Sequence, residues 1–537
     1  MKAIKSVRLH GGIRPPPFKT RSLRSVIMAT PVPEHLIIPL IQYGGQIAAP
    51  AVAVGDKVLK GQALTRIDLE GICPIHAPTS GTIEAIEPLP VADEFTTYQP
   101  CVVLRSDGED CWTALDALPD WDTSPPEDLI SRIHRAGVIG LGGAGFPLAK
   151  KLHSLQGRKL ETLIINAVEC EPYISCDQAL VRARTADLVS GIQILRYITG
   201  ATRTVIAIGN NKTDAIDALR QHLPRTEIRL VTVPPDYPAG SEKQLIQRIV
   251  RRQLPRDALP ADIGALVVNA GTAYAVFRAI VLGQPLVSRI TTLCGETLAT
   301  PKNFEALIGT PVFFLLELCG VDYQRLSHLL CGGSIMGHTV TDLNVPLDKT
   351  TNCLIAGSEQ EFPTLPEPME CIRCGYCASA CPVSLQPQLL YRHIRAGALE
   401  QAEQSGVQDC IECGACNWVC PSHIPLLQYY RYAKYELESL AARRLQSQQW
   451  QQRFELHQYR MARKHKSKPQ QKPDDRIAGA DAAIPQFDRN QARIEIAAAV
   501  ERARARRENL IASSAQAINS HEPLTAVRKT KIENPHQ

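Results

Sequence analysis

The sequence predicts a multidomain α/β chain that continues into a cysteine-rich helical segment and a basic tail. Three observations carry this. The 537 residues are 44% hydrophobic, enough for several separately cored domains. From Gly137 onward, short apolar runs alternate with helix-like stretches, the pattern of an open parallel sheet with helices on its faces. Two four-cysteine motifs of identical spacing follow, at Cys371 and Cys410.

Charge and cysteine usage narrow the setting. The formal net charge is +5, but residues 441–537 hold 19 Lys and Arg against 10 Asp and Glu, so the rest of the chain is about four units negative. The start, MKAIKSVRLHGGIRPPPFK, lacks the apolar core of a secretory signal. The most apolar long stretch, ALVVNAGTAYAVFRAIVLG, contains Asn269, Thr272 and Arg278 and falls short of the roughly 20 apolar residues of a spanning helix. A soluble or peripheral chain is expected. Seventeen cysteines without a secretory signal point to a reducing compartment, where clustered thiols more often bind metal than pair.

Residues 1–30 read as an N-terminal arm. Residues 31–115 follow as a β-rich unit, in which VGDKVLKGQ and APTSGT give alternating strands around turns. The stretch 48–86 resembles a biotinyl/lipoyl-type barrel-sandwich. A carrier role needs an exposed lysine on the hairpin between the halves, and RIDLEGIC there has none. Lys57 and Lys60 are read as solvated turn residues, and the domain as structural.

The next unit, 125–258, opens on GVIGLGGAGFPLAKKL. Gly140, Gly142 and Gly145 fit G-x-G-x-x-G after a short apolar run and before a helix-like stretch. Glycines there let backbone N–H groups approach a phosphate. A plain tight turn is the competing reading. The following strand-like run, LETLIINAVECEP, ends in Asn166, Glu169 and Glu171, about where an acidic ribose or flavin contact belongs. Two further βα-like units continue the Rossmann-like pattern. Residues 259–360 read as a separate module of short strands and turns. In it CGGSIMG is a glycine turn and His338 a packed or surface histidine. Cys170, Cys176, Cys294, Cys319, Cys331 and Cys353 show no metal spacing among themselves and read as buried small side chains.

Residues 365–435 carry the strongest signal. Both motifs read C-x2-C-x2-C-x3-C-P: Cys371, Cys374, Cys377 and Cys381 before Pro382, then Cys410, Cys413, Cys416 and Cys420 before Pro421. Four thiolates at this spacing suit a 4Fe–4S cube. The fourth cysteine of each run normally ligates the other cube in two-cluster ferredoxins. That assigns Cys371, Cys374, Cys377 and Cys420 to one cluster and Cys410, Cys413, Cys416 and Cys381 to the other. Zinc is the rival, but zinc favours paired C-x2-C ligands and has no use for this pattern twice. The segment between the motifs reads as helix, glycine turn, helix. The tail, 440–537, is basic and reads as helical or disordered, with QARIEIAAAVERARARRENLIA as an amphipathic helix suited to an anionic membrane surface or a partner subunit. No aromatic interleaving supports a nucleic-acid role.

GLGGAGFPLAKKL, NAVECEPY and YPAGSEKQLI, followed by two ferredoxin motifs, resemble the C subunit of the Rnf (Rsx) electron-transport complex. Its core is similar to the NADH-binding flavoprotein subunit of respiratory complex I, and the likeness covers about residues 10–435. The resemblance implies an FMN held by the glycine loop and NADH as substrate. It implies a β-grasp (SLBB-like) module after the flavin domain. It also implies other Rnf subunits as partners, ferredoxin as a possible one, and a peripheral place on the cytoplasmic face of the bacterial inner membrane. Position by position it assigns cofactor contacts to Gly142, Gly143, Gly145, Phe146 and Lys151. It adds Asn166, Glu169, Glu171, Gly240, Glu242, Asn269 and Thr272. No side chain is assigned a catalytic role. Val168 stands where the complex I pattern has an Asp, and the loop is shorter and lacks an Arg, so one contact is lost or made differently. The function implied is electron entry: NADH to FMN, then the two cubes, then a partner. A diaphorase subunit of a soluble hydrogenase or quinone oxidoreductase is the alternative within enzymes. A ferredoxin-like module with a vestigial glycine loop is the alternative outside them.

Overall fold

Four strands organise the middle of the chain in this computed structural model: β1 (Thr162–Ala167), β2 (Arg203–Gly209), β3 (Ile228–Val233) and β4 (Ala265–Asn269). They form a parallel sheet in the order β3-β2-β1-β4. The structure describes residues 9–466, apart from 42, 68–71, 94–95, 156, 224–226 and 257. β1 and β2 are almost wholly buried, so their sequences, TLIINA and RTVIAIG, are apolar runs rather than alternating ones. Helices cover both faces. Thr185–Thr199 and α2 (Ala270–Ile280) cross so closely that a Cβ on Gly191 would lie 1.9 Å from the Ala273 carbonyl oxygen.

Strand order decides where a ligand can sit. β1, β2 and β3 progress one way, and β4 then returns to the other side of β1. The reversal opens a crevice beyond the carboxyl ends of β1 and β4. Asn166 and Asn269 face each other in register at those ends.

This topology corrects one expected boundary. A module starting at residue 259 would cut off β4 and α2, yet β4 pairs with β1, and α2 packs in the same core as Leu163 and Ile165. The sheet needs β4 to complete its second side. The next unit therefore begins near Ser288. There Met28–Ala29, Lys302–Leu307, Ser288–Cys294, Cys353–Gly357, His328–Cys331 and His338–Thr339 form a mixed six-stranded sheet, in that spatial order. Helix Val312–Leu318 packs on it through Val312, Leu315 and Leu316. His338 is partly buried, with Nε2 3.0 Å from the Ala92 carbonyl oxygen. Of the six scattered cysteines, Cys170 is half-buried and the other five are buried.

Upstream, Lys57–Val58, Gly81–Pro90, Tyr98–Ser106 and His35–Pro39 make an antiparallel sheet closed over Leu36, Ile38, Leu64, Ile83 and Leu104. Lys57 is exposed, but the reading of Lys60 as solvated is wrong. Lys60 is 9% exposed, its ammonium lies 2.7 Å from Asp110 and it sits over the Trp112 ring. An ion pair and a ring face replace the water it leaves. The carrier-hairpin stretch falls largely on 68–71, outside the described residues.

The chain divides into two units, Met1–Gln448 and Gln449–Gln537. In the first, Pro387–Arg395 and Leu399–Gln404 flank Gly397 between the two cysteine motifs. The helix Leu426–Lys466 begins inside the cysteine-rich segment and passes the boundary expected near 440, because Tyr430, Ala433 and Leu437 pack into that segment's core. In the second unit residues 449–466 continue this helix, and the amphipathic stretch 491–512 lies outside the described residues. No helix among the described residues is long and apolar enough to cross a membrane.

Candidate functional site

Four segments meet at the crevice. The glycine loop runs from Gly140 to Phe146 and is closed by hydrogen bonds from the Gly140 amide to the Phe146 carbonyl and from the Gly145 amide to the Gly140 carbonyl. Asn269 caps α2 by accepting from the Thr272 amide, and the Thr272 hydroxyl accepts from the Leu141 amide at 2.8 Å. A Cβ on Gly142 would lie 3.3 Å from the Asn269 Cβ. Asn166 accepts from the Val168 amide and donates to the Gly240 carbonyl at 2.8 Å. The Lys151 ammonium donates to Glu242 at 2.7 Å and to the Val267 carbonyl at 2.8 Å. Gly142, Lys151, Asn166, Gly240, Glu242, Asn269 and Thr272 are thus drawn into one connected cradle.

The cradle suits a phosphate-bearing cofactor such as FMN. Gly143 has φ +114°, and a Cβ placed there meets nothing within 4 Å, so the loop is open above it. The amides of Gly142, Gly143 and Ala144 donate to no acceptor among the described residues. Unfilled backbone donors around an opening are what an anionic group needs.

Glu169 and Glu171 are engaged elsewhere. Glu169, at φ +44°, has a side chain only 3% exposed; its carboxylate lies 2.9 Å from Lys212 and 3.8 Å from Lys19, and accepts from the amides of Asp177 and Gln178 at the start of α1 (Cys176–Ala183). Burial would raise its pKa, but the two ammonium groups and the Asp177 amide together outweigh burial and hold it below the usual carboxylate value. Glu169, Cys176 and Asp177 bring three possible ligand atoms within 4.8 Å of one another. With Glu169 committed to two lysines and two amides, they form a charge network rather than a metal site.

Glu171 is 8% exposed, and its Oε1 accepts from the amides of Ile335 and Met336. Its Oε2 has no partner among the described residues. Burial therefore pushes its pKa from 4.5 up to about 7, against the opposing pull of those amides. A raised carboxyl favours the neutral form in the fold. Its stabilising contribution is full below pH 4.5 and is lost as pH rises to about 7. Glu171→Gln keeps the acceptor and removes the charge. Relative to this variant, the wild type should lose on the order of 2–3 kcal/mol between about pH 4.5 and pH 7.5. Denaturant titrations at the two pH values check this; parallel losses in both proteins would refute it.

The cysteines gather in two exchanged sets. Cys371, Cys374, Cys377 and Cys420 line one cavity. Cys381 lies within electrostatic reach of Cys410, Cys413 and Cys416. The backbone repeats with them: Arg373 and Glu412, Gly375 and Gly414, and Ser384 and His423 all have positive φ at matching places in the two motifs. Burial, then neighbouring thiols, pushes Cys413 up to about 12. Four close thiols of this kind cannot ionise together without cations among them, and iron supplies that charge. The donor set fits a 4Fe–4S cube.

The two sets differ in surroundings. Tyr237 is 1% exposed, donates its hydroxyl to the Cys413 carbonyl and packs with Cys170, Ile335, Cys413 and Ala415. Gln244 donates to the Pro382 carbonyl, and the Gly12 amide to the Ala380 carbonyl. The Cys410 set is therefore joined to the loop that leaves β1 and carries Glu169 and Cys170. Cys374 of the other set is exposed, as are Ile372 and Tyr376 beside it.

Sequence reasoning missed Lys19, Lys212, Tyr237 and Asp177. Lys212 had a signal, since it follows the carboxyl end of β2 directly. Lys19 had none, and Tyr237, though it opens YPAGSEKQLI, gave no hint of its partner, because their partners lie 150 and 176 residues away.

Comparison with known proteins gives the following. Residues 133–278 match the Nuo51 FMN-binding domain, residues 7–109 the RnfC barrel sandwich hybrid domain and residues 367–424 a 4Fe-4S dicluster domain. The chain is 47% identical over 453 residues to the C subunit of the ion-translocating oxidoreductase complex of Pseudomonas aeruginosa, and 45% identical over 455 residues to that of Cronobacter sakazakii. Each alignment covers 84% of this chain and 58% of the relative, so the chain spans less than two thirds of the length of these curated relatives. Among solved structures, an NAD+-reducing NiFe hydrogenase in the H2-reduced state aligns with TM-score 0.43 and 18% identity, over 62% of this chain and 67% of that one.

Proposed function

We propose, from the premise that the chain is a homologue along most of its length of the C subunit of ion-translocating oxidoreductase complexes, that it is the electron-entry subunit of such a complex. NADH is the substrate, FMN the bound converter, and two 4Fe–4S cubes the outlet. A flavin takes two electrons from a nicotinamide and releases them singly, as cubes require. The carrying observation is the join between the two halves: the Cys410 set packs through Tyr237 against the loop that leaves β1. This supports an order in which that set lies nearer the flavin, and the Cys371 set, with exposed Cys374, faces a partner.

The chain's own residues divide the work. The open amides of Gly142, Gly143 and Ala144 hold the phosphate, with Gly145 shaping the loop and Phe146 closing it. Asn166, Asn269 and Thr272 fix the crevice walls. Lys151 with Glu242, Glu169 with its lysines, Glu171 and Gly240 keep those walls in register. The mixed sheet after Ser288 reads as the β-grasp, SLBB-like module. Other subunits of the complex and ferredoxin are the redox partners. Docking is peripheral, on the cytoplasmic face of the inner membrane, with the basic tail against anionic lipid.

Gly143→Val tests the cradle. A branched residue at φ +114° is strained and stands where the phosphate must approach. Flavin absorbance of the purified chain should fall about tenfold at limiting FMN, with its iron content unchanged. Wild-type flavin content in this variant would move the cofactor elsewhere.

A further inference from the structure

The mixed-sheet module holds no cofactor in the proposed electron route, yet it sends two buried cations behind the glycine loop. Arg289 is 5% exposed and Lys349 is 8% exposed. Lys349 donates to the carbonyls of Pro74 and Gly137 at 3.0 and 2.9 Å. Arg289 donates to the Lys349 carbonyl at 2.6 Å and to the Leu141 carbonyl at 3.4 Å. Neither has an ion-pair partner among the described residues. The carboxylates nearby are taken. Asp348 accepts from the amides of Thr350 and Thr351, Asp177 accepts from Asn269, and Glu305 pairs with Arg278. Burial pulls the Lys349 ammonium down to about 8, so it stays mostly charged at neutral pH.

Burying a cation without an anion is costly, so folding alone does not account for two of them here. Their placement does. The Leu141 carbonyl and the Gly142 amide belong to one trans peptide and point opposite ways. Arg289 holds that carbonyl from behind, which turns the Gly142 N–H away from the module and strengthens it as a donor. On the other flank, a Cβ on Gly145 would lie 3.0 Å from Thr350, so the turn that carries Lys349 braces the far end of the loop. Open amides in front and two unpaired positive charges behind call for one anion. We propose that Arg289 and Lys349 make the glycine loop specific for a phosphoryl group, Arg289 by positioning the 141–142 peptide and Lys349 by its charge. The phosphoryl group is that of FMN or of the dinucleotide substrate. The proposal rests on the reading of this loop as a cofactor cradle, and it gives the mixed-sheet module a part in ligand choice.

Equilibrium titration of the full chain, its clusters in place and its flavin dialysed away, tests this with two ligand pairs. One pair is FMN and riboflavin; the other is ADP-ribose and adenosine. Arg289→Met and Lys349→Met should each weaken the phosphorylated member of one pair on the order of tenfold, the scale of one charge-assisted hydrogen bond. The unphosphorylated member should stay within about twofold, because it makes no such contact. The pair that responds identifies whose phosphoryl group the loop holds. Arg289→Lys keeps the charge in the fold but not the reach to Leu141, and should lose about threefold for the same ligand alone. It carries the test if the methionine variant does not fold. Equal losses for both members of a pair, or no loss for any ligand, would refute the specificity role while FMN remains the cofactor. If the wild type binds neither flavin, the FMN reading falls, and the second pair still decides the role of Arg289 and Lys349.

Discussion

Cys420→Ser is expected to strip the iron from the loop at Cys371, Cys374 and Cys377 while the Cys410 set stays loaded. The reason is spatial. Cys420 shares a cavity with those three thiols, and not with its own motif's first three. Iron and acid-labile sulfide in anaerobically prepared protein should drop from about eight to about four per chain. Low-temperature paramagnetic resonance of the reduced variant should keep one cube's signal and lose the magnetic coupling between two. The reciprocal change, Cys381→Ser, should empty the Cys410 set instead. Loss of iron from only the Cys410 set in Cys420→Ser would show that each motif is self-contained.

The second large effect lies at the charge network. Lys212→Met removes an ammonium that is 1% exposed and 2.9 Å from the buried Glu169 carboxylate. The methionine fills most of the space but leaves a buried anion with Lys19 as its remaining cationic partner, at 3.8 Å. Breaking a buried pair this way costs about 3–5 kcal/mol. Because Glu169 also anchors the start of α1, the loop at 166–171 should loosen and flavin should dissociate more readily. Urea titration followed by flavin fluorescence and by far-ultraviolet dichroism reads both effects. Adding Glu169→Leu should restore part of the lost stability, since no buried charge then stands alone. A loss below about 1 kcal/mol in Lys212→Met would mean that water or Lys19 already compensates.

What was legible in the sequence was what is local. The cysteine motifs announce themselves because three ligands come from one loop, and the parallel sheet because strands buried on both faces must be apolar throughout. Asn166 could be singled out as a polar residue ending a strand-like run and Asn269 through the family resemblance, though their register across β1 and β4 could not. The edge of the sheet was misjudged for the same reason. Nothing in ALVVN says that it pairs with a strand a hundred residues earlier rather than with its neighbours in the next module. Lys60 looked like a turn lysine because its partners, Asp110 and Trp112, are distant in sequence. The pairing within the charge network was hidden for the same reason: Lys19, Glu169 and Lys212 come from three separate segments.

The strap formed by residues 11–13 carries a consequence for synthesis. Ile13 pairs with Tyr237 through two backbone hydrogen bonds, the Gly12 amide reaches the Ala380 carbonyl, and Gly11 lies so close to Cys381 that a Cβ would fall 2.4 Å from its carbonyl oxygen. Roughly 370 residues separate the two ends of that last contact. At about 5–20 residues per second, a ribosome needs roughly 20–70 s to span them. The strap therefore leaves the tunnel long before its seat exists and must wait unpaired. Meanwhile the barrel-sandwich and the parallel sheet can close behind it. Cys381 gains part of its cover when this segment docks, so the shelter of that thiol set depends on a stretch translated roughly 370 residues before it.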